Sequence, residues 1–331
     1  MTQTRLDVLA IGNAIVDIIA DCDDAFLAAE GLTKGMMRLI DADEAVRLYD
    51  HMGPAREISG GSAGNTAAGV AALGGKAGFV GQVAPDQLGE FYRHDLNAAG
   101  VEFITPAADY GVPTARSMVL VTADGHRTMN TFLGAAQHLP VTALDEAQIE
   151  GAAILYLEGY LWDPETPRFA MVKAIDVARR AGRQVAFTLS DTFCIDRHRD
   201  GFNQLLNDGK IDILFANEAE IGMLAGADDF EAAVAAVAGK VTTLVVTRSE
   251  QGAIAVARGA RAQVAAEPVA RVVDTTGAGD LFAAGFLAGQ AQGRSLEDSL
   301  RIGAIAAAEV ISHYGARPEA DLKALVAARL G

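Results

Sequence analysis

A chain of 331 residues, half of them hydrophobic and 21% charged, can bury a full core and has the composition of a folded enzyme rather than a disordered segment. Its formal charge of −16 excludes a sequence-independent nucleic-acid binder, which needs a net positive field to attract phosphate backbones. An anionic nucleotide stays within reach, because a local nest of amides and a metal ion suffice to hold one.

The polar start, residues 1–6, lacks a charged leader followed by an apolar core, and no apolar run approaches bilayer length. A cytoplasmic protein with no membrane partner is therefore expected. Cys22 and Cys194 lie far apart without metal-ligand spacing and read as free thiols of a reducing compartment. In chain order, residues 6–11 form a short buried-type strand ending at Gly12-Asn13, and Asp17 follows just beyond it. Ligands of open parallel sheets bind outside the strands' carboxyl ends, where a planar carboxylate can accept from two neighbouring sugar hydroxyls; a solvated turn is the alternative. Ser59-Gly60-Gly61-Ser62-Ala63-Gly64-Asn65-Thr66 then opens a small-residue helix over 63–73. Bare backbone at Gly60 and Gly61 lets a ring lie close, and Asn65 offers both donor and acceptor to hydroxyls. The rival, a phosphate-binding turn, lacks the Gly-Lys-Ser/Thr ending of a P-loop.

Residues 77–81 read as a strand and 88–99 as a helix, followed by strands at 154–157, 185–189, 211–215 and 243–247 and a helix at 168–181. This alternation predicts an α/β fold, a mainly parallel sheet with helices on both faces. Two segments break the pattern. Residues 31–40 and 114–132 look like antiparallel strands, the second turning at Asp124-Gly125. They predict a small β lid, its segments spanning about 14–55 and 110–135, inserted in a single domain over 1–331, since no repeat or linker divides the chain.

Two motifs carry the chemistry. Asn217-Glu218-Ala219-Glu220 places Asn217 and Glu220 on one face of a helical turn, where the pair can order waters around Mg²⁺ or simply cap the helix. Asp274-Thr275-Thr276-Gly277-Ala278-Gly279-Asp280 leads into an apolar helix. Its glycines and the helix dipole suit a transferring phosphoryl group held on the amides of Gly277, Ala278 and Gly279. Asp280 at the mouth would take the proton from an incoming hydroxyl, which is small-molecule kinase chemistry. No G-x-G-x-x-G opens a helix after the first strand, which disfavours a dehydrogenase.

This ordered set, from Gly12 to about Pro318, resembles the ribokinase family, the PfkB carbohydrate kinases, and within it the adenosine kinases. The resemblance implies a ribokinase-like three-layer sandwich with a β lid. It also implies ATP-dependent phosphorylation of a primary hydroxyl on a small nucleoside or sugar, adenosine to AMP first. A free sugar (ribose, fructose or a keto-deoxy sugar acid) and a catalytically silent nucleoside sensor are the alternatives. By the same resemblance Asp280 is the base, Asp17, Gly60, Gly61 and Asn65 grip the sugar, and Arg127 contacts substrate or phosphate from the lid. Tyr160 falls where an aromatic could stack on the base. Asn217, Thr247, Gly252, Gly277, Gly279 and His313 face the nucleotide, Glu220 holds Mg²⁺ through water, and Asp274 assists a monovalent cation such as K⁺. Relatives are monomers or homodimers. The chain departs from the family pattern at Ser249 and at Val83-Ala84-Pro85-Asp86, where glycine and a Gly-Asp pair are common.

Overall fold

The computed structural model describes residues 5–330; residues 1–4, most of the polar start, lie outside that range. The strands are β1 (Leu6–Ile11), β2 (Ile15–Cys22), β3 (Met37–Leu39), β4 (Ala55–Gly60), β5 (Ala77–Val80), β6 (Val101–Phe103) and β7 (Ala115–Thr122). They continue with β8 (Arg127–Phe132), β9 (Ala152–Glu158), β10 (Gln184–Thr188), β11 (Ile213–Asn217), β12 (Thr243–Thr247), β13 (Ala253–Ala257) and β14 (Ala260–Val264). Nine of them form one sheet, in the order β14-β13-β12-β11-β10-β9-β1-β5-β6. All its pairings are parallel except the two that involve β13.

Side-chain alternation along each strand divides the core in two. From β1, Val8 and Ala10 join Tyr156, Ile213 and Phe215 on one face, under the helices Ser62–Ala72 and Ala278–Ala291. Leu9 and Ile11 join Leu155, Phe187 and Leu214 on the other, under Glu165–Arg180 and Thr192–Asn207. Both faces of the sheet are thus covered, and the fold is the ribokinase-like α/β sandwich. The small residues of Ser62–Ala72 have a purpose here. A Cβ on Gly69 would come within 2.6 Å of the Ala284 Cβ, so bare backbone lets that helix lie against Ala278–Ala291. That approach brings Ser62 and Asn65 beside Asp280.

The second sheet has the order β3-β8-β7-β2-β4. The helix Ala42–His51 covers one face, with Ala45 and Leu48 in the same core as Val16, Ile18, Met118 and Leu120. The opposite face carries Asp17, paired in register with Ser117, which pairs in turn with Thr131. β7 and β8 form the hairpin expected over 114–132, with Gly125 at positive φ in its turn. The expectation for 31–40 needs correction. Only Met37–Leu39 is extended, and it pairs parallel to β8. β2 likewise runs parallel to β7, because both enter this sheet after strands of the main sheet that share one direction.

Asp86, which ends the segment departing from the family pattern, has a structural role. Its carboxylate caps the helix Gln87–Ala98 through the Gly89 amide (2.8 Å) and accepts from the Thr114 amide (2.8 Å) and hydroxyl (2.6 Å), fixing the entry to β7. No helix among the described residues is long and apolar enough to cross a membrane.

Candidate active site

Gly277 starts the helix Ala278–Ala291 in the left-handed region, with φ of +77°. A side chain there would be strained by backbone conformation, and a Cβ would stand 2.6 Å from the Ala316 Cβ. At Gly279 a Cβ would meet no atom within 4 Å, so that residue is bare toward open space. The Ala278 amide donates to the Thr275 carbonyl at 3.2 Å, so it is not free for an anion as expected. Among the described residues the amides of Gly277, Gly279 and Asp280 have no such backbone acceptor. Three unpaired N–H groups at a helix N-terminus can hold an anion.

These two glycines separate stability from chemistry. Gly277→Ala is expected to lower the melting temperature, since left-handed backbone alone costs a residue with a Cβ about 1–2 kcal/mol. Gly279→Ala should melt with the wild type yet lose turnover, because the added methyl occupies the open space before the amides. Thermal unfolding and initial rates on both variants check this.

Asp280 is partly open to the site. Ser62 Oγ donates to its Oδ1 at 2.7 Å and Asn65 Nδ2 to its Oδ2 at 3.0 Å. Burial raises its pKa above the usual aspartate value, and those two bonds and the Arg317 charge pull it back. The carboxylate is therefore oriented by two donors and keeps affinity for a proton. Asn65, expected to meet the ligand, thus serves the carboxylate.

Asp17 is raised to about 7 by burial, against the lowering charges of Arg317 and Arg127; Asp280 and Asp274 push the same way as burial. Its carboxylate lies over Gly60, where a Cβ would collide with Oδ2. Gly61, with φ of +84°, packs on the Asn13 carbonyl and caps the helix that carries Ser62 and Asn65.

Arg127, at the start of β8, places Nη2 2.5 Å from Asp274 Oδ2, and both side chains are buried. Its Nε has no hydrogen-bond partner among the described residues. Asp274 also accepts from the amides of Thr276 and Gly315, each at 3.0 Å. Two amides and the Arg127 charge thus already meet the carboxylate expected to assist a monovalent cation. The side chain ties residues 274–276 to residues 311–317.

Asn217 ends β11 beside Thr247 at the end of β12, and both line an open cavity of about 860 Å³ with Arg248, Ser249 and Gln251. The expected Asn–Glu pair forms a reciprocal helix cap. Glu220 N donates to Asn217 Oδ1 at 2.9 Å, Asn217 N to Glu220 Oε2 at 2.9 Å, and Asn217 Nδ2 to Glu220 Oε1 at 2.6 Å. Glu220 is buried and raised to about 7, with the Asp191 charge adding to burial. Among the described residues no group of three or more His, Cys, Asp or Glu side chains could hold a metal directly. Ser249, the other departure, sits at φ of +48°, which explains why glycine is common there. A Cβ on Gly252 would run into the Val264 carbonyl, so this glycine shapes the β13–β14 edge rather than facing open space.

Tyr160 lies in the short helix Gly159–Trp162 and donates from its hydroxyl to the Ser190 carbonyl at 3.3 Å; burial raises its pKa. His313 has Nε2 3.1 Å from Glu309 Oε1, tying it to the helix Leu296–Val310.

Two residues of the site carry no sequence signal of their own. Glu158, fully buried at the end of β9, accepts from Asn13 N (2.7 Å), Asn13 Nδ2 (2.8 Å) and Ala63 N (2.8 Å). Burial raises it to about 7, and those bonds oppose the shift. Its place at the carboxyl end of a parallel strand was the available clue. Arg317 is the other.

The family model for pfkB family carbohydrate kinases matches residues 8–322. A fructokinase of Klebsiella pneumoniae is 32% identical over 74% of this chain and 80% of that protein. An adenosine kinase of Saccharomyces cerevisiae is 28% identical over 93% of this chain and 95% of that protein. Among solved structures, a probable sugar kinase from Rhizobium etli superposes with a TM-score of 0.91 at 50% identity, covering 99% of both chains. The adenosine kinase of Sinorhizobium meliloti superposes with a TM-score of 0.90, also at 50% identity, covering 98% of this chain and 99% of that one. A carboxylate steadied by two side chains, beside a glycine-started helix with free amides, is thus found in a chain that belongs to the pfkB family of carbohydrate kinases, and the protein is a kinase.

Proposed function

We propose that this kinase transfers the γ-phosphoryl group of ATP to a primary hydroxyl of a ribose-like substrate, adenosine before others. The observation that carries the reading is the attachment of Asp280 to Ser62 and Asn65 at the N-terminus of the glycine-started helix. Asp280 takes the hydroxyl proton as the oxygen attacks phosphorus, and the amides of Gly277, Gly279 and Asp280 stabilise the charge on the phosphoryl oxygens. Asp17, Gly60, Gly61 and Asn65 hold the sugar hydroxyls, and Arg127 closes over them from the lid sheet. Tyr160 lies toward the base. Asn217 and Thr247 border the nucleotide in their shared cavity, with Gly252 and His313 supporting it from behind.

Mg²⁺ would enter with the phosphates and neutralise part of their charge. Glu220 fits it only through water. Both of its oxygens are engaged by Asn217, each with a lone pair left, and its raised pKa marks a setting that a cation relieves.

The likeness to the Sinorhizobium meliloti adenosine kinase supports adenosine as acceptor. The fructokinase and probable sugar kinase relatives favour a free sugar as the second reading. A panel of nucleosides and sugars with ATP, ranked by kcat/KM, decides between them. Adenosine should lead. A sugar ahead of it by more than about tenfold, roughly 1.4 kcal/mol in transition-state binding, would overturn the nucleoside assignment.

A further inference from the structure

Arg317 belongs to the loop after the helix Leu296–Val310, yet its hydrogen bonds cross more than 250 residues of chain. Its Nε donates to the Ser59 carbonyl at 3.0 Å, and Nη2 donates to the same carbonyl and to Ser59 Oγ at 3.0 Å. Nη1 donates to the Gly64 carbonyl at 3.0 Å. Ser59 is the last but one residue of β4, where the lid sheet runs into the helix Ser62–Ala72. Gly64 lies in that helix, between Ser62 and Asn65, the two residues that donate to Asp280. The other end of the loop is tied to the phosphate loop through Gly315 N and Asp274. One guanidinium therefore joins three parts: the junction with the lid, the helix that orients Asp280, and the segment that buttresses the phosphate loop.

We infer that Arg317 is a positioning residue for phosphoryl transfer, setting the Ser62–Asn65 turn and the Ser59–Gly61 junction in register with the phosphate loop. This rests on the kinase site proposed above but not on which acceptor it takes. The planar fork suits the task. Its three nitrogens make four hydrogen bonds to two carbonyls and a hydroxyl in fixed directions, which a single ammonium cannot reproduce.

Its charge also has an assignment. Asp17 from β2, Asp280 from the helix Ala278–Ala291, and Asp95 and Tyr92 from Gln87–Ala98 face it electrostatically. Asp95 is bound to Ser59 N at 2.9 Å and Ser59 Oγ at 2.7 Å, so it sits across the same serine. Asp17 additionally faces Arg127 and Asp274. Arg317 lowers the proton affinity of both Asp17 and Asp280, against the burial that raises it. Removing the cation should raise the pH at which those carboxylates ionise, an effect that a merely structural contact would not produce.

The test measures kcat, KM and the pH dependence of kcat/KM for Arg317→Gln and Arg317→Lys, on whichever acceptor leads the substrate panel. Arg317→Gln should lose about 100-fold in kcat/KM, the scale of a small misplacement in the site. Its acid limb should move upward by about one pH unit. Arg317→Lys should keep the wild-type acid limb and still lose kcat, because it supplies the charge without the fork. Wild-type kcat/KM in both variants, or lost activity in Arg317→Gln with an unmoved pH profile, would overturn the inference. If Arg317→Gln does not fold, Arg317→Lys decides: a wild-type limb with reduced kcat supports the assignment, and full activity removes it. A sugar outrunning adenosine overturns the substrate reading alone, since every ratio here is taken on the best acceptor.

Discussion

Asp280→Asn is expected to fold and bind ATP as the wild type does while losing about 10²- to 10⁴-fold in kcat, the range a positioned general base supplies. The substitution keeps shape and replaces one carboxylate oxygen by an amide. Ser62 can still donate to the remaining oxygen. In the wild type Asn65 donates to the oxygen that becomes an N–H₂ group, but its own Oδ1 is buried without a partner among the described residues, so rotating the Asn65 amide restores a complementary pair. Little stability is therefore at stake. What disappears is the proton acceptor, and with it the means of generating the attacking alkoxide. Because the loss falls in the transition state, kcat and kcat/KM should drop together, with KM nearly unchanged. Single-turnover rates with a melting curve and an ATP titration check all three parts. Near-wild-type kcat would remove Asp280 from the role.

Much of this site was legible in the sequence because its parts are contiguous. Gly277, Gly279 and Asp280 lie within four residues, and a glycine-rich turn opening an apolar helix has few alternative uses. Ser62 and Asn65 belong to one such turn. The alternation of strands and helices was equally plain, since buried parallel strands such as β9 and β11 are nearly continuous apolar runs.

What could not be read depends on pairings between distant segments. β2 follows β1 after only Gly12–Ala14, and nothing in two successive apolar runs says that the second joins another sheet. Asp17 consequently looked like the residue after a strand, when it lies within one. The strand Met37–Leu39 has three residues, and its parallel pairing with β8 follows from the path of the chain rather than from its own side chains. Asn217 and Glu220 show the opposite limit. The spacing that would organise a hydrated metal is also that of a reciprocal helix cap, and one sequence serves both. Glu158 and Arg317 are single charges whose partners lie 95 or more residues away, so no local pattern announces them.

Asp17→Asn should raise KM for the acceptor by about 100-fold or more, since hydrogen bonds to a charged group contribute about 1.5–3 kcal/mol each and the carboxylate can accept two. The wild type should show the same dependence through pH. With its pKa raised to about 7, Asp17 is ionised above neutrality and protonated below it. A protonated carboxyl gives up one of its acceptor oxygens to an O–H, so kcat/KM for the free enzyme should fall about tenfold per pH unit below that value. The loss should appear in KM, whereas titration of Asp280 would appear in kcat. Asp17→Asn should abolish the limb near pH 7 and leave any lower one. Stability should move the other way. The folded pKa lies above the reference value of 3.8, so the folded state holds the proton more tightly than the unfolded chain. The resulting stabilisation is complete below the reference value and is lost as pH rises through about 7. At pH 8 the wild type therefore carries a buried charge that asparagine does not, and the variant should melt about 2 °C or more above it. A variant that binds poorly and melts higher at alkaline pH identifies a carboxylate kept for its ligand at the expense of the fold. Unchanged KM with a lower melting temperature would return Asp17 to the framework of the lid.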